Sequence, residues 1–222
     1  MKRTPALVVS SIALASIAGL AGFGLNNASV EVSNETLEYT STLESSAATA
    51  TYGVDPVHTN VLFKIRHGGV TNFYGRFNTI KGSIEFDKQD MSNSSMEFTI
   101  PASSVDTNSK TRDGHIKDAE FFNARQFKDI SFESSSISDN GDGSYALTGE
   151  LTLHGITKTI TANLDQVLTG KFRDRDVLGF EARFEIKRSD FEIMKYLADD
   201  LSDSGPLGNT VEIIVAVEAG KE

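Results

Sequence analysis

Four histidines, His58, His67, His115 and His154, are the side chains best suited to chemistry near neutral pH. Together with carboxylates, histidine can hold a transition metal or relay a proton. The spacing here assembles neither. No pair stands at H-x-H or H-x-x-x-H, and the chain has no cysteine to complete a ligand set. No metal site is assigned, because one would need the fold itself to bring distant ligands together. There is no G-x-S-x-G elbow and no thiol to act as nucleophile. Gly68-Gly69 is not followed by a helical pattern, so it makes no phosphate loop. No catalytic residue is assigned and no cofactor is required. What remains is a polar set expected to form a rim: His58, His67, Arg112, Asp113 and His115, with Arg188 and Asp190 expected to pair at a strand end. Such a rim serves equally to hydrogen-bond the polar end of a ligand or to cap loops. An acid–base role for His58 or His115 is the enzymatic alternative.

The segment that must carry much of this rim is Ser104–Phe132, which breaks the pattern of the rest of the chain. It holds charges at Lys110, Arg112, Asp113, Lys117, Asp118 and Glu120, followed by Phe121-Phe122. It reads as a short helix or two plus a loop, inserted between strands. It either closes an end and frames a site or is a surface crossover that packs two Phe into the core.

Around it the chain alternates with a period of two. Val61, Phe63 and Ile65 share a face. Phe73–Asp87 reads as one long strand or a bent pair, whose apolar parity switches before Ile80, Ile84 and Phe86. Gly75 or Gly82 is the expected bulge. Met96, Phe98 and Ile100 follow, then Ile130 and Phe132. Asp139-Asn140-Gly141-Asp142-Gly143 signals a hairpin. Tyr145 to Leu153, Ile160 to Leu164, Leu178 to Arg188 and Val211 to Val217 complete the set, with an irregular stretch over Ser189–Asn209. This predicts an all-β fold of about eight half-buried antiparallel strands, closed as a barrel or packed as a sandwich. An outer-membrane barrel is disfavoured: the chain lacks Trp, has five Tyr and shows no paired aromatic girdles.

Composition supplies the material for a core, with 39% hydrophobic residues and 14 Phe. The formal charge of −10 argues against nucleic acid or an anionic membrane surface as partner. Lys2 and Arg3 followed by the apolar run Ala6–Leu25 read as a signal peptide over residues 1–28, cut after Ala21 or Ala28, with an uncleaved anchor as the alternative. Residues 29–51, rich in Ser, Thr, Ala and Glu, read as a flexible spacer. One domain is expected over 52–219. Export to the periplasm follows from the leader, and the exported body is expected to be soluble. A homodimer is compatible with it.

The motifs along this domain resemble a known family. They are Tyr52-x-x-Asp55-x-x-His58-Thr59, Phe63-x-x-x-His67, Gly75-x-Phe77, Ser104-Val105-x-Thr107, Arg112-Asp113-x-His115-Ile116 and Phe121-Phe122. Gly149-x-Leu151-Thr152-x-His154-Gly155-Ile156-Thr157-Lys158 and Arg188-x-Asp190-Phe191 follow, all in order. The chain is thereby similar to the YceI-like family of exported polyisoprenoid-binding proteins. That family carries Gly inside the Arg-x-Asp-Phe-x-Ile segment; here Glu192 stands there. The resemblance implies an extended, eight-stranded, lipocalin-like antiparallel β-barrel. Its elongated apolar cavity would bind a long isoprenoid chain, a quinone tail or a polyprenyl lipid. The wall implied is Phe63, Ile65, Phe98, Ile100, Phe132, Leu147, Leu151, Phe180 and Phe184, with Phe121 and Phe122 near an end. Without the resemblance the same residues read as the core of a filled barrel. The resulting expectation is a periplasmic lipid carrier. The alternatives are an enzyme acting on such a lipid or a stress-response interaction module with a solid core.

Overall fold

Alternating apolar residues give the strands one greasy face, and eleven strands join in one antiparallel sheet that curls until β1 meets β11. The computed structural model describes residues 49–222. The expected signal peptide and nearly all of the expected spacer lie outside the described residues. In chain order the elements are β1 (Ala50–Val54), β2 (Asn60–His67), β3 (Thr71–Phe77), β4 (Lys81–Phe86), β5 (Ser95–Pro101), β6 (Val105–Asp106), α1 (Lys110–Lys117), β7 (Asp129–Asp139), β8 (Tyr145–Leu153), β9 (Ile156–Phe172), β10 (Arg175–Lys187) and β11 (Leu207–Lys221). β1 takes in Ala50 and Thr51, which the spacer reading had included.

Eight strands form a closed ring in the order β1-β4-β5-β7-β8-β9-β10-β11, sealed by β11 pairing back onto β1. The other three make a flap, β2-β3-β6, that grows from β11. Opposite its β10 edge, β11 therefore serves two partners. Its Val211–Ala216 portion pairs with β2, and Ala219–Lys221 pairs with β1. The flap returns to the wall through β6, which follows β5 after the single helical turn Ala102–Ser104.

The expected bulge at Gly75 or Gly82 is not where the chain bends. Both glycines sit in regular register, Gly75 opposite Phe63 and Gly82 opposite Phe98. The bend falls at Asn78–Ile80, between β3 and β4, where Asn78 N–H donates to Ser104 O at 2.9 Å. The β9–β10 hairpin also runs further than alternation suggested. Gln166 adopts a left-handed φ of 55°, and the β9–β10 register shifts between Gly179 and Glu181, so parity is lost before the tip.

The interior is packed solid at one end. Tyr52, Ile84, Phe86, Met96, Ile137, Leu164, Leu178 and Ala219 are buried there, at the level where β1 and β4 complete the ring. This cluster makes a floor. Toward the β2–β3 flap the apolar faces instead surround a hollow.

Candidate functional site: an apolar cavity beneath the helix

The cavity has a volume of about 920 Å³. Every wall position named from the sequence lines it: Phe63 and Ile65 of β2, Phe98 and Ile100 of β5, Phe132 of β7, Leu147 and Leu151 of β8, Phe180 and Phe184 of β10, and Phe121 and Phe122 after α1. Val61, Phe73, Phe77, Ile160, Ile186, Ile213 and Val215 extend the same surface.

The aromatic rings do not meet in the middle, and the reason lies on neighbouring strands. A Cβ on Gly75 would overlap the Phe63 ring. A Cβ on Gly82 would stand 2.5 Å from Phe98 Cδ1, and one on Gly149 2.5 Å from Phe132 Cζ. Each ring thus lies against a strand position that has no side chain, which keeps it on the wall. The rings then contact one another along the wall. Centroid separations are 5.9 Å for Phe63–Phe77, 5.7 Å for Phe77–Phe122 and 6.5 Å for the stacked Phe98–Phe132 pair.

One helix and two loops frame the mouth. α1 is capped by Ser109, whose hydroxyl accepts from Arg112 N–H. Asp113 does not face the cavity: its Oδ1 accepts from Thr107 N–H at 2.8 Å and Thr107 Oγ1 at 2.5 Å, tying the first turn to the preceding loop. Arg112 reaches the cavity and is held by Thr107, donating to its Oγ1 at 2.9 Å and its carbonyl at 2.6 Å. Its guanidinium stands 4.5 Å from the centroid of the Phe73 ring. After α1, Glu120 pairs with Lys195 at 2.5 Å and Phe121 packs on Tyr196 at 6.1 Å. The β2–β3 turn joins the same rim, since Gly68 N–H donates to Pro206 O at 2.9 Å.

Arg188 is buried, 5% exposed, and the expected pairing with Asp190 is absent. Its guanidinium donates instead to four main-chain carbonyls: Gly208 at 2.8 Å, Ile193 at 3.3 Å, Lys195 at 3.0 Å and Leu207 at 3.1 Å. Burial pushes it down to about 10, with the charge of Asp203 acting in the opposite direction. Asp190 is exposed. Arg188 therefore pins the irregular loop that forms one side of the mouth.

His67 and His115 face the cavity beside Arg112. His58 does not: it lies at the other end of β2, where its Nδ1–H donates to Asp55 Oδ2 at 2.8 Å. That bond, then the charges of Asp55 and Glu218, hold its imidazole above the ordinary value. Asp55 is held below its own, first by the His58 bond and then by the Val57 N–H. His154 is structural, with Nδ1 2.9 Å from Phe191 O and its ring 4.8 Å from that of Phe127. Ile193, Tyr196 and Leu207 also line the cavity, and no periodic signal could have found them in their irregular loop and at the start of β11.

A closed, eight-stranded antiparallel barrel with an apolar interior, packed at one end and framed by a helix at the other, is a lipocalin-like barrel. The chain belongs to the YceI-like family, whose domain matches residues 52–219. A UPF0312 protein of Serratia proteamaculans is 40% identical over 178 residues, covering 78% of this chain and 88% of that protein. Among solved structures, Burkholderia cenocepacia BcnA superposes with a TM-score of 0.65 at 22% identity, over 74% of this chain and 98% of that one. A polyisoprenoid binding domain from Saccharophagus degradans, implicated in plant cell wall breakdown, superposes with a TM-score of 0.60 at 15% identity, over 79% of this chain and all of that one.

Proposed function

We propose that the protein is a periplasmic carrier that holds an amphiphile with a long isoprenoid tail, a quinone or a polyprenyl lipid, inside its barrel. The observation that carries this reading is the hollow itself: about 920 Å³ bounded by Phe and branched aliphatic side chains, above a packed floor. Prenyl tails offer only apolar surface, and each buried carbon contributes roughly 0.8 kcal/mol before the costs of association. A few five-carbon units are therefore enough for firm retention without any hydrogen bond to the tail. The polar groups at the mouth, Arg112, His115 and His67, suit the oxygen-bearing end of such a molecule. The kinship with a fold described as polyisoprenoid binding supports the same class of cargo. This reading needs no chemical step.

Organic extraction and native mass spectrometry of protein purified from its exporting cells test it. Recovery of a prenyl lipid in near-stoichiometric amount is expected. Protein that carries no lipid and takes up no prenylated quinone from detergent micelles overturns the reading.

A further inference from the structure

Sequence spacing assigned no metal ligands, yet the fold gathers a donor set far from the cavity. Asp55, His58 and Glu218 bring one ligand atom each to within 4.8 Å of one another. His58 Nδ1 is 2.8 Å from Asp55 Oδ2 and 3.9 Å from Glu218 Oε1. The backbone beneath them is fixed independently of these contacts. Asp55 N–H donates to Glu218 O at 2.8 Å, and Thr59 N–H donates to Asp55 O at 3.1 Å. The Thr59 hydroxyl both donates to Glu218 O and accepts from Glu218 N–H, each at 3.1 Å. The second Asp55 oxygen is occupied by Val57 N–H at 2.8 Å, which turns Oδ2 toward His58.

We propose that Asp55 Oδ2, His58 Nδ1 and Glu218 Oε1 bind a divalent transition cation of the Zn²⁺ type, with water completing the shell on the solvent side. One imidazole nitrogen and two carboxylate oxygens suit zinc and its neighbours, whereas calcium and magnesium take all-oxygen sets. Bonds of roughly 2.0–2.1 Å in a tetrahedron place ligand atoms about 3.3 Å apart. The two spans observed lie on either side of that value. His58 and Glu218 are partly exposed, so modest side-chain rotation closes the difference. Three protein ligands facing water leave an outer position open.

The location gives the cation a task. Glu218 lies on β11 between Ala216, which pairs with Asn60 of β2, and Ala219, which pairs with Val54 of β1. The turn carrying Asp55 and His58 joins those two strands. A bound ion ties that turn to β11 at the point where β11 changes partner, and so stabilises the folded barrel by mass action.

The test uses tag-free, full-length exported protein, stripped with EDTA and then freed of it. Calorimetric titration with ZnCl₂ is expected to give one site per chain and a higher melting temperature. MgCl₂ at the same concentration is expected to give neither. His58→Gln and Glu218→Gln should each weaken Zn²⁺ binding tenfold or more. No saturable binding, or binding unchanged in His58→Gln, overturns the proposal, as does equal stabilisation by Mg²⁺. Should a variant unfold, the wild-type protein answers the question alone. Zn²⁺ must then shift the His58 imidazole NMR resonances before those of His67, His115 and His154, and any other order overturns the assignment. None of these results depends on what the barrel carries.

Discussion

The ring of Phe63 on β2 lies directly over Gly75, its antiparallel partner on β3, in the space that any other side chain would fill. Phe98 over its partner Gly82 repeats the relationship, and the Phe132 ring lies against Gly149, diagonally across the β7–β8 ladder. The barrel is hollow because its largest side chains have somewhere else to lie.

Gly75→Ala should therefore drive the Phe63 ring inward or part β2 from β3. The expected cost is about 1–3 kcal/mol, as for other overpacked sites, together with a fall in co-purified lipid. Urea unfolding and lipid extraction measure the two. Stability and lipid content both equal to wild type would show that the wall accommodates the methyl group elsewhere.

Arg188→Met keeps the length of the side chain but removes every donor that the carbonyls of Gly208, Ile193, Lys195 and Leu207 use. A loss of roughly 3 kcal/mol is expected, since several charge-assisted bonds go at once and buried acceptors are left behind. Hydrogen exchange should quicken at the Leu197 and Leu207 amides, which bond within the same loop. Exchange unchanged at both would show that the loop holds without the guanidinium.

Glu192 occupies a left-handed conformation, φ 57° and ψ 24°, at the end of the Arg188–Phe191 turn. Only glycine adopts it without strain. Glu192→Gly is expected to raise stability by about 0.5–1 kcal/mol, whereas Glu192→Ala should leave it nearly unchanged. A lower urea midpoint for the glycine variant would contradict this account of the turn.

The Asp55–His58 pair sets a pH window. His58 titrates higher in the fold than its ordinary 6.5, so its contribution is complete below that value and is lost as pH rises through the raised one. Asp55 titrates below its ordinary 3.8, so its contribution is present above that value and is lost as pH falls through the lowered one. In metal-free buffer the stability gap between wild type and His58→Gln should be widest between the two ordinary values. It should narrow on both the alkaline and the acid side. A gap that widens above pH 8 would reverse the sign of the pairing.

Much of this architecture is visible in the order of residue types. Strict alternation along β8 and β10 marks their inner faces, and the Phe positions on β2, β5 and β7 fall on the same side. The flap is not visible, because β6 is two residues long and β2 and β3 alternate like any barrel strand. The β9–β10 tip is hidden by the Gln166 kink and by charged residues on both faces from Lys171 to Asp176. The polar residues divide for a similar reason. His67 reaches the mouth from the end of β2, which alternates, and Arg112 and His115 from the helix that the break in alternation marks. Asp113 turns to Thr107, Asp190 turns to solvent, and His58, bonded to Asp55, lies at the opposite end of β2; short-range loop contacts of this kind have no period to read.

The packed floor has a consequence for traffic. On the proposed carrier reading, a hollow that ends in Ile84, Leu164 and Leu178 makes a cargo molecule back out toward the helix end by which it went in. On that reading, donor and acceptor of the cargo would visit the same rim, between the Lys195–Glu120 contact and the β2–β3 turn, one after the other.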